Sequence, residues 1–241
     1  MSLLALAIAP GIAICLFIYF KDRYNKEPIL WLILCFILGM LSTIPAIVSE
    51  ALLTTPTGQQ FGEGVIGTAV LSFIVIALSE ELSKFIVLRY AAFNRKSFDD
   101  PFDGIVYSVV ISMGFATLEN IAYVFQHGFA TGILRMFLSV PAHATFGVLM
   151  GYYAGLAKFN PAKKRSYLFL GVLWAVIFHG TFDFFLFVGK DWMHFVGALV
   201  SFIIALKLSR RAIRKKQAYS KLYFEQSPNV EKINHSLFDN N

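Results

Sequence analysis

The sequence predicts an all-α fold: a polytopic membrane helix bundle of about seven transmembrane helices, with the N-terminus outside and the C-terminus in the cytoplasm. Three observations carry that reading. Of the 241 residues, 57% are apolar and only 15% are charged, whereas soluble domains average roughly 25% charged. The mean hydropathy is +0.64, and phenylalanine alone supplies 25 residues. The apolar residues also gather into runs of bilayer length joined by short connections. This composition excludes disordered, collagen-like and disulfide-stapled chains.

A spanning helix needs about 20 apolar residues, and the sequence offers seven such runs. Residues 3–20 have no basic residue before them and Lys21, Arg23 and Lys26 after them. That charge order predicts an uncleaved, N-out anchor and not a removable leader. Residues 29–53 form the second span, with Pro45 as a kink candidate. Residues 65–88 form the third, followed by Arg89, Arg95 and Lys96, and residues 102–125 the fourth. The fifth, 133–157, holds Pro141, a second kink candidate, and the stripe Gly147-x-x-x-Gly151-x-x-x-Gly155. Such a stripe is expected to seat another helix of the bundle. Residues 167–188 and 192–208 complete the set. Cys15 and Cys35 fall inside spans and read as small buried residues.

The basic residues orient this map. Apart from Lys84, Arg135 and Lys190, every Lys and Arg follows span one, three or five, or lies at and beyond the end of span seven. The positive-inside rule then places those connections in the cytoplasm. Residues 1–208 read as a single membrane-embedded domain and 209–241 as a basic cytoplasmic tail. The segment 210–216 is expected to lie against anionic lipid. The net charge of +6 therefore reports topology and the lipid bilayer as partner, with no nucleic acid.

The informative residues are ionisable ones inside spans: Glu80, Glu81 and Lys84 in the third, Glu119 in the fourth, His143 in the fifth, His179 and Asp183 in the sixth. A charged side chain at the bilayer centre costs about 2.5–3.5 kcal/mol even on the lenient insertion scale. Several in one small bundle must share a polar cavity. At about 100° per residue, Lys84 lies between Glu80 and Glu81 on one helical face and can pair with either. His179 and Asp183 are one turn apart, so Asp183 can orient the imidazole. His127 and His194 lie in or near outer connections and His235 in the tail, and these three read as solvated or interfacial and non-functional.

Two histidines and several carboxylates supply either a zinc site or a metal-free acid/base set that activates water. The chain lacks a His-Glu-x-x-His helix, a Gly-x-Ser-x-Gly elbow and a Walker loop, which argues against the common zinc proteases, serine hydrolases and nucleotide-driven enzymes. Amide hydrolysis fits best. A non-catalytic membrane scaffold or immunity-type protein is the alternative from another class. A proton-coupled transporter is a weaker one, because no matched halves or internal repeats occur.

Glu80-Glu81-x-x-Lys84, Phe115-x-x-x-Glu119, Pro141-Ala142-His143 and His179-x-x-x-Asp183 fall in consecutive spans. On these motifs the chain resembles the PrsW family of intramembrane proteases, distantly related to the type II CAAX prenyl endopeptidases. The resemblance implies a multi-pass protease of the bacterial cell membrane. It would make the first (site-1) cut in a single-pass membrane anti-sigma factor, leading to sigma-factor activation under envelope stress. Glu119 stands where the prenyl endopeptidases have histidine, and Lys84 replaces an arginine one residue further on, so a prenylated substrate is not implied. The implied site has Glu80, Glu81, Lys84, Glu119 and Asp183 as catalytic groups, with His143 and His179 binding zinc or, without metal, donating to an oxyanion.

Overall fold

The computed structural model describes residues 3–62, 64–189 and 191–226. Lys190, Lys232 and His235, and the tail beyond residue 226, lie outside the described residues. Within them the chain is helical, with no strand. The elements are α1 (Leu3–Lys21), α2 (Ile29–Leu41), α3 (Thr43–Phe61), α4 (Val65–Val70), a π-helical stretch Leu71–Ala77, α5 (Leu78–Val87), a second π stretch Leu88–Ala92, α6 (Asp103–Phe137), α7 (Ser139–Phe159), α8 (Lys164–Phe187) and α9 (Trp192–Gln226). Six stretches are long and apolar enough to cross a membrane. The longest, Asp103–Phe159, contains both α6 and α7.

The first half of α6 is the axis of the bundle, buried on every face from Asp103 to Thr117. Helices α1, α2 and α7 pack directly around it, and α8 and α9 extend the layer beyond α7. The glycine stripe of α7 seats α6, as its spacing predicts. A Cβ on Gly151 would fall 2.2 Å from the Gly104 carbonyl oxygen, so the two backbones touch where a side chain would separate them. The outer faces carry exposed Phe20, Leu30, Phe125 and Trp192, as expected where lipid and not water is the solvent.

The predicted spans differ from the helices at three places. The second span breaks at Ser42, and Pro45 stands in the first turn of α3, where a missing backbone N–H costs little. Pro141 likewise stands in the first turn of α7. Both prolines start helices and do not kink them. The expected connection 126–132 is helical except at Gly128, whose φ of 82° turns the chain and leaves a short arm running to Phe137. Residues 133–137 thus belong to this arm and not to α7. Finally, α9 continues unbroken through the basic segment to Gln226. Ser209 and Ser220 on it hydrogen-bond back to the bundle, and Lys216 is buried.

Candidate active site

Four helices deliver the predicted residues to one place. The π stretch Leu71–Ala77 precedes Glu80 by less than a turn, and α8 lies against it at Gly180, where a Cβ would meet the Phe73 ring at 2.4 Å. That close approach brings His179 onto α5. His179 Nδ1 lies 2.9 Å from Glu81 Oε1, and its Nε2 lies 3.2 Å from Asp183 Oδ2. The one-turn spacing of His179 and Asp183 thus produces the pairing it predicts.

Lys84 is the hub. Its Nζ donates to Glu80 Oε2 at 3.1 Å and to Glu81 Oε1 at 2.7 Å, so it pairs with both carboxylates. It also lies 3.1 Å from His143 Nδ1 and 4.1 Å from the centre of the Phe115 ring. An ammonium has donors only. His143 Nδ1 therefore accepts, and the proton on Nε2 points to Glu119 Oε2, 3.0 Å away. Phe146 stacks on His179 with ring centres 4.9 Å apart. Phe115 and Phe146 give the charged groups apolar neighbours that strengthen their mutual attraction.

All seven predicted residues are in one connected network, and six of them are buried, Glu119 being half-buried. Glu80, Glu119, His143, His179 and Asp183 also line a cavity of about 830 Å³, whereas Glu81 and Lys84 sit behind its wall. His127 is exposed and takes no part in the cluster.

Sequence reasoning gave no site role to three residues that the structure brings to the cluster or its cavity. Arg135, on the arm after Gly128, pairs its Nη2 with Glu119 Oε2 at 2.8 Å and donates from Nε to Asn120 Oδ1 at 3.1 Å. Asn120 in turn donates to the Ala7 carbonyl of α1 at 2.9 Å. Glu50 of α3 also lines the cavity. Both Arg135 and Glu50 lie inside predicted spans, so the rule that singles out intramembrane charges applies equally to them.

One nitrogen or oxygen from each of Glu80, Glu81, His143 and His179 lies within 4.8 Å of the others. Two imidazoles and two carboxylates suit zinc. Glu81 Oε2 is buried without a hydrogen-bond partner, an acceptor such an ion would satisfy. The residues present fit a divalent metal, with Lys84 as the group that competes for the same space.

No solved structure matches this chain. Its residues 27–208 match the profile of the PrsW family intramembrane metalloprotease. A relative named Protease PrsW from Geobacillus kaustophilus (strain HTA426) is 37% identical over 219 residues, covering 90% of this chain and 92% of that protein. Proteins of the same name from Clostridioides difficile (strain 630) and Bacillus subtilis (strain 168) are 37% and 34% identical, covering 93% and 84% of this chain and 95% and 90% of their own lengths. With the motifs gathered into one buried site inside an apolar helical bundle, the chain belongs to the PrsW family of intramembrane proteases.

Proposed function

We propose that this multi-pass bacterial membrane peptidase makes the first, extracytoplasmic-side cut in a single-pass membrane anti-sigma factor, with the bundle crossing the bilayer seven times, N-terminus outside. In this arrangement residues 1–208 are the protease domain and 209–241 the cytoplasmic tail. The cavity is reached from the extracytoplasmic side. The observation that carries the reading is the hydrogen-bonded network that joins Glu80, Glu81, His143 and His179 through Lys84 and Glu81 at the wall of a cavity of about 830 Å³. Such a cavity has room for a short peptide segment together with the water that attacks it.

Glu80 faces the cavity and Glu81 does not, which supports Glu80 as the general base on water. Glu81 anchors Lys84 and His179 from behind. Lys84 decides which carboxylate carries the charge. Asp183 orients His179, and Glu119 holds His143 in one tautomer and can take up the proton on its Nε2. Glu81, His143 and His179 would hold zinc and leave Glu80 as the base; when bound, the ion would polarise the scissile carbonyl and acidify water. Without metal, an imidazole N–H released from its carboxylate partner, Asp183 for His179 or Glu119 for His143, would donate to the developing oxyanion.

Purified Glu80→Gln, Glu81→Gln and His179→Ala proteins, each confirmed folded, should cleave a membrane-tethered substrate at least about a hundredfold more slowly than wild type. Full-rate cleavage by all three would sink the reading. Metal analysis, with chelator loss and zinc rescue of activity, decides the metal separately.

A further inference from the structure

We propose that Glu50 is a specificity determinant that receives a basic side chain of the substrate segment lying in the cavity. The inference rests on the proteolytic reading above and deepens it.

The carboxylates around the cavity are otherwise committed. Glu80 is held by Lys84, Glu119 by Arg135 and His143, and Asp183 by His179. Glu50 alone among the described carboxylates lining the cavity has no ion pair and no side-chain hydrogen bond. Both cations near the site, Lys84 and Arg135, are already engaged. An unpaired carboxylate on a membrane helix is costly, and such residues mark places where a charged partner arrives. Glu50, like Glu119, is half-buried, whereas Glu80, His143, His179 and Asp183 are buried, so Glu50 belongs to the more open part of the cavity lining. The partner therefore comes from outside, with the substrate.

Placement along the bundle sets where that partner falls. Thr43, Ile47 and Glu50 repeat at one-turn intervals and together form the α3 wall of the cavity. Counted from the ends that carry the basic connections, Glu50 lies about 30 Å along its helices and Glu80 about 18 Å along its own. The difference of about 12 Å corresponds to roughly three or four residues of extended peptide. A fitting segment has apolar residues against Ile47 and a lysine or arginine roughly three or four residues to the extracytoplasmic side of the scissile bond.

The test uses the full-length protein in lipid nanodiscs and short fluorescent Ala/Leu peptides with Lys, Gln or Glu at one position. Binding is read by anisotropy, so it does not depend on turnover. Wild type should bind the Lys peptide about tenfold more tightly than the Glu peptide, and high salt should shrink the difference. Glu50→Gln should bring the two within about twofold, and Glu50→Lys should reverse their order. If a peptide is turned over, the same ranking should appear in KM with kcat nearly constant. Equal binding of all three peptides to wild type, no measurable binding of any, or a Lys preference that survives in Glu50→Gln overturns the proposal. Wild type that shows this binding ranking, and its reversal in Glu50→Lys, but cleaves no substrate counts against the enzyme reading and not against Glu50.

Discussion

Arg135 reaches Glu119 from the arm that follows Gly128, and Glu119 fixes the tautomer of His143. This is a chain of orientation: guanidinium, carboxylate, imidazole, ammonium. Partners one step removed from a reacting group commonly carry 10–100-fold of activity. Arg135→Ala should lower kcat by roughly that factor, and Arg135→Lys should recover part of it because the charge beside Glu119 remains. Glu119→Gln combined with Arg135→Ala should cost little more than the larger single loss, since the two act in series. Steady-state kinetics on the tethered substrate check all three. Additive losses would show that Arg135 acts independently of Glu119. The pairings within α5 and α8 were legible in the sequence because they lie three or four residues apart. Arg135 was not legible as a partner of Glu119, because only the positive-φ turn at Gly128 folds the arm back over the site.

At the scale of elements, the helices pack by backbone contact. Gly104 of α6 and Gly151 of α7 face each other, and a Cβ on either would fall within 2.5 Å of a backbone atom of the other helix. Gly151→Ala should therefore destabilise the protein by about 1–3 kcal/mol, because neither backbone can give way. Gly58→Ala in α3 meets nothing within 4 Å and should be neutral or slightly stabilising through helix propensity. Unfolding of the two variants in matched detergent separates them. The glycine stripe announced a tight contact in the sequence, but which helix fills it is a property of the packed bundle. Likewise the prolines announced breaks, and the structure places those breaks at helix starts.

At the scale of the whole molecule, a second polar cluster ties distant parts of the chain together at the end that carries the basic connections. Asp22 and Glu27 from the α1–α2 link, Asp100 and Asp103 at the start of α6, and Ser220 of α9 are all buried. Tyr107 donates to Glu27 and Ser220 to Asp100, while Asp103 accepts the backbone N–H groups of Asp99 and Asp100. Burial, then the nearby carboxylates of Asp100 and Glu27, push the Asp22 carboxyl up to about 7. Burial raises Glu27 and Asp100 as well. A carboxyl whose folded value lies above its ordinary 3.8 binds its proton more tightly when folded. Its contribution is fully present below that ordinary value and is lost as pH rises through about 7. Thermal stability should accordingly fall between about pH 4 and 7. Asp22→Asn should flatten that slope and raise the melting temperature most at pH 8. An unchanged slope in the variant would show that Asp22 does not titrate in this range.

The sequence by itself determined the class of the molecule and the identity of the ionisable groups that meet in one cluster. Apolar runs of bilayer length and charges placed inside them depend only on local composition and helical periodicity, which fold with the chain wherever it goes. That is why Glu80, Glu81, Lys84, Glu119, His143, His179 and Asp183 were all legible before any coordinates. The tertiary structure alone decided that Lys84 bridges both glutamates to His143, that Glu80 and not Glu81 faces the cavity, and that Arg135 and Glu50 join its wall. These relations connect residues up to about a hundred positions apart. They depend on how closely one helix can approach another, and that distance is set by glycines and ring contacts on faces whose partners the linear pattern does not name.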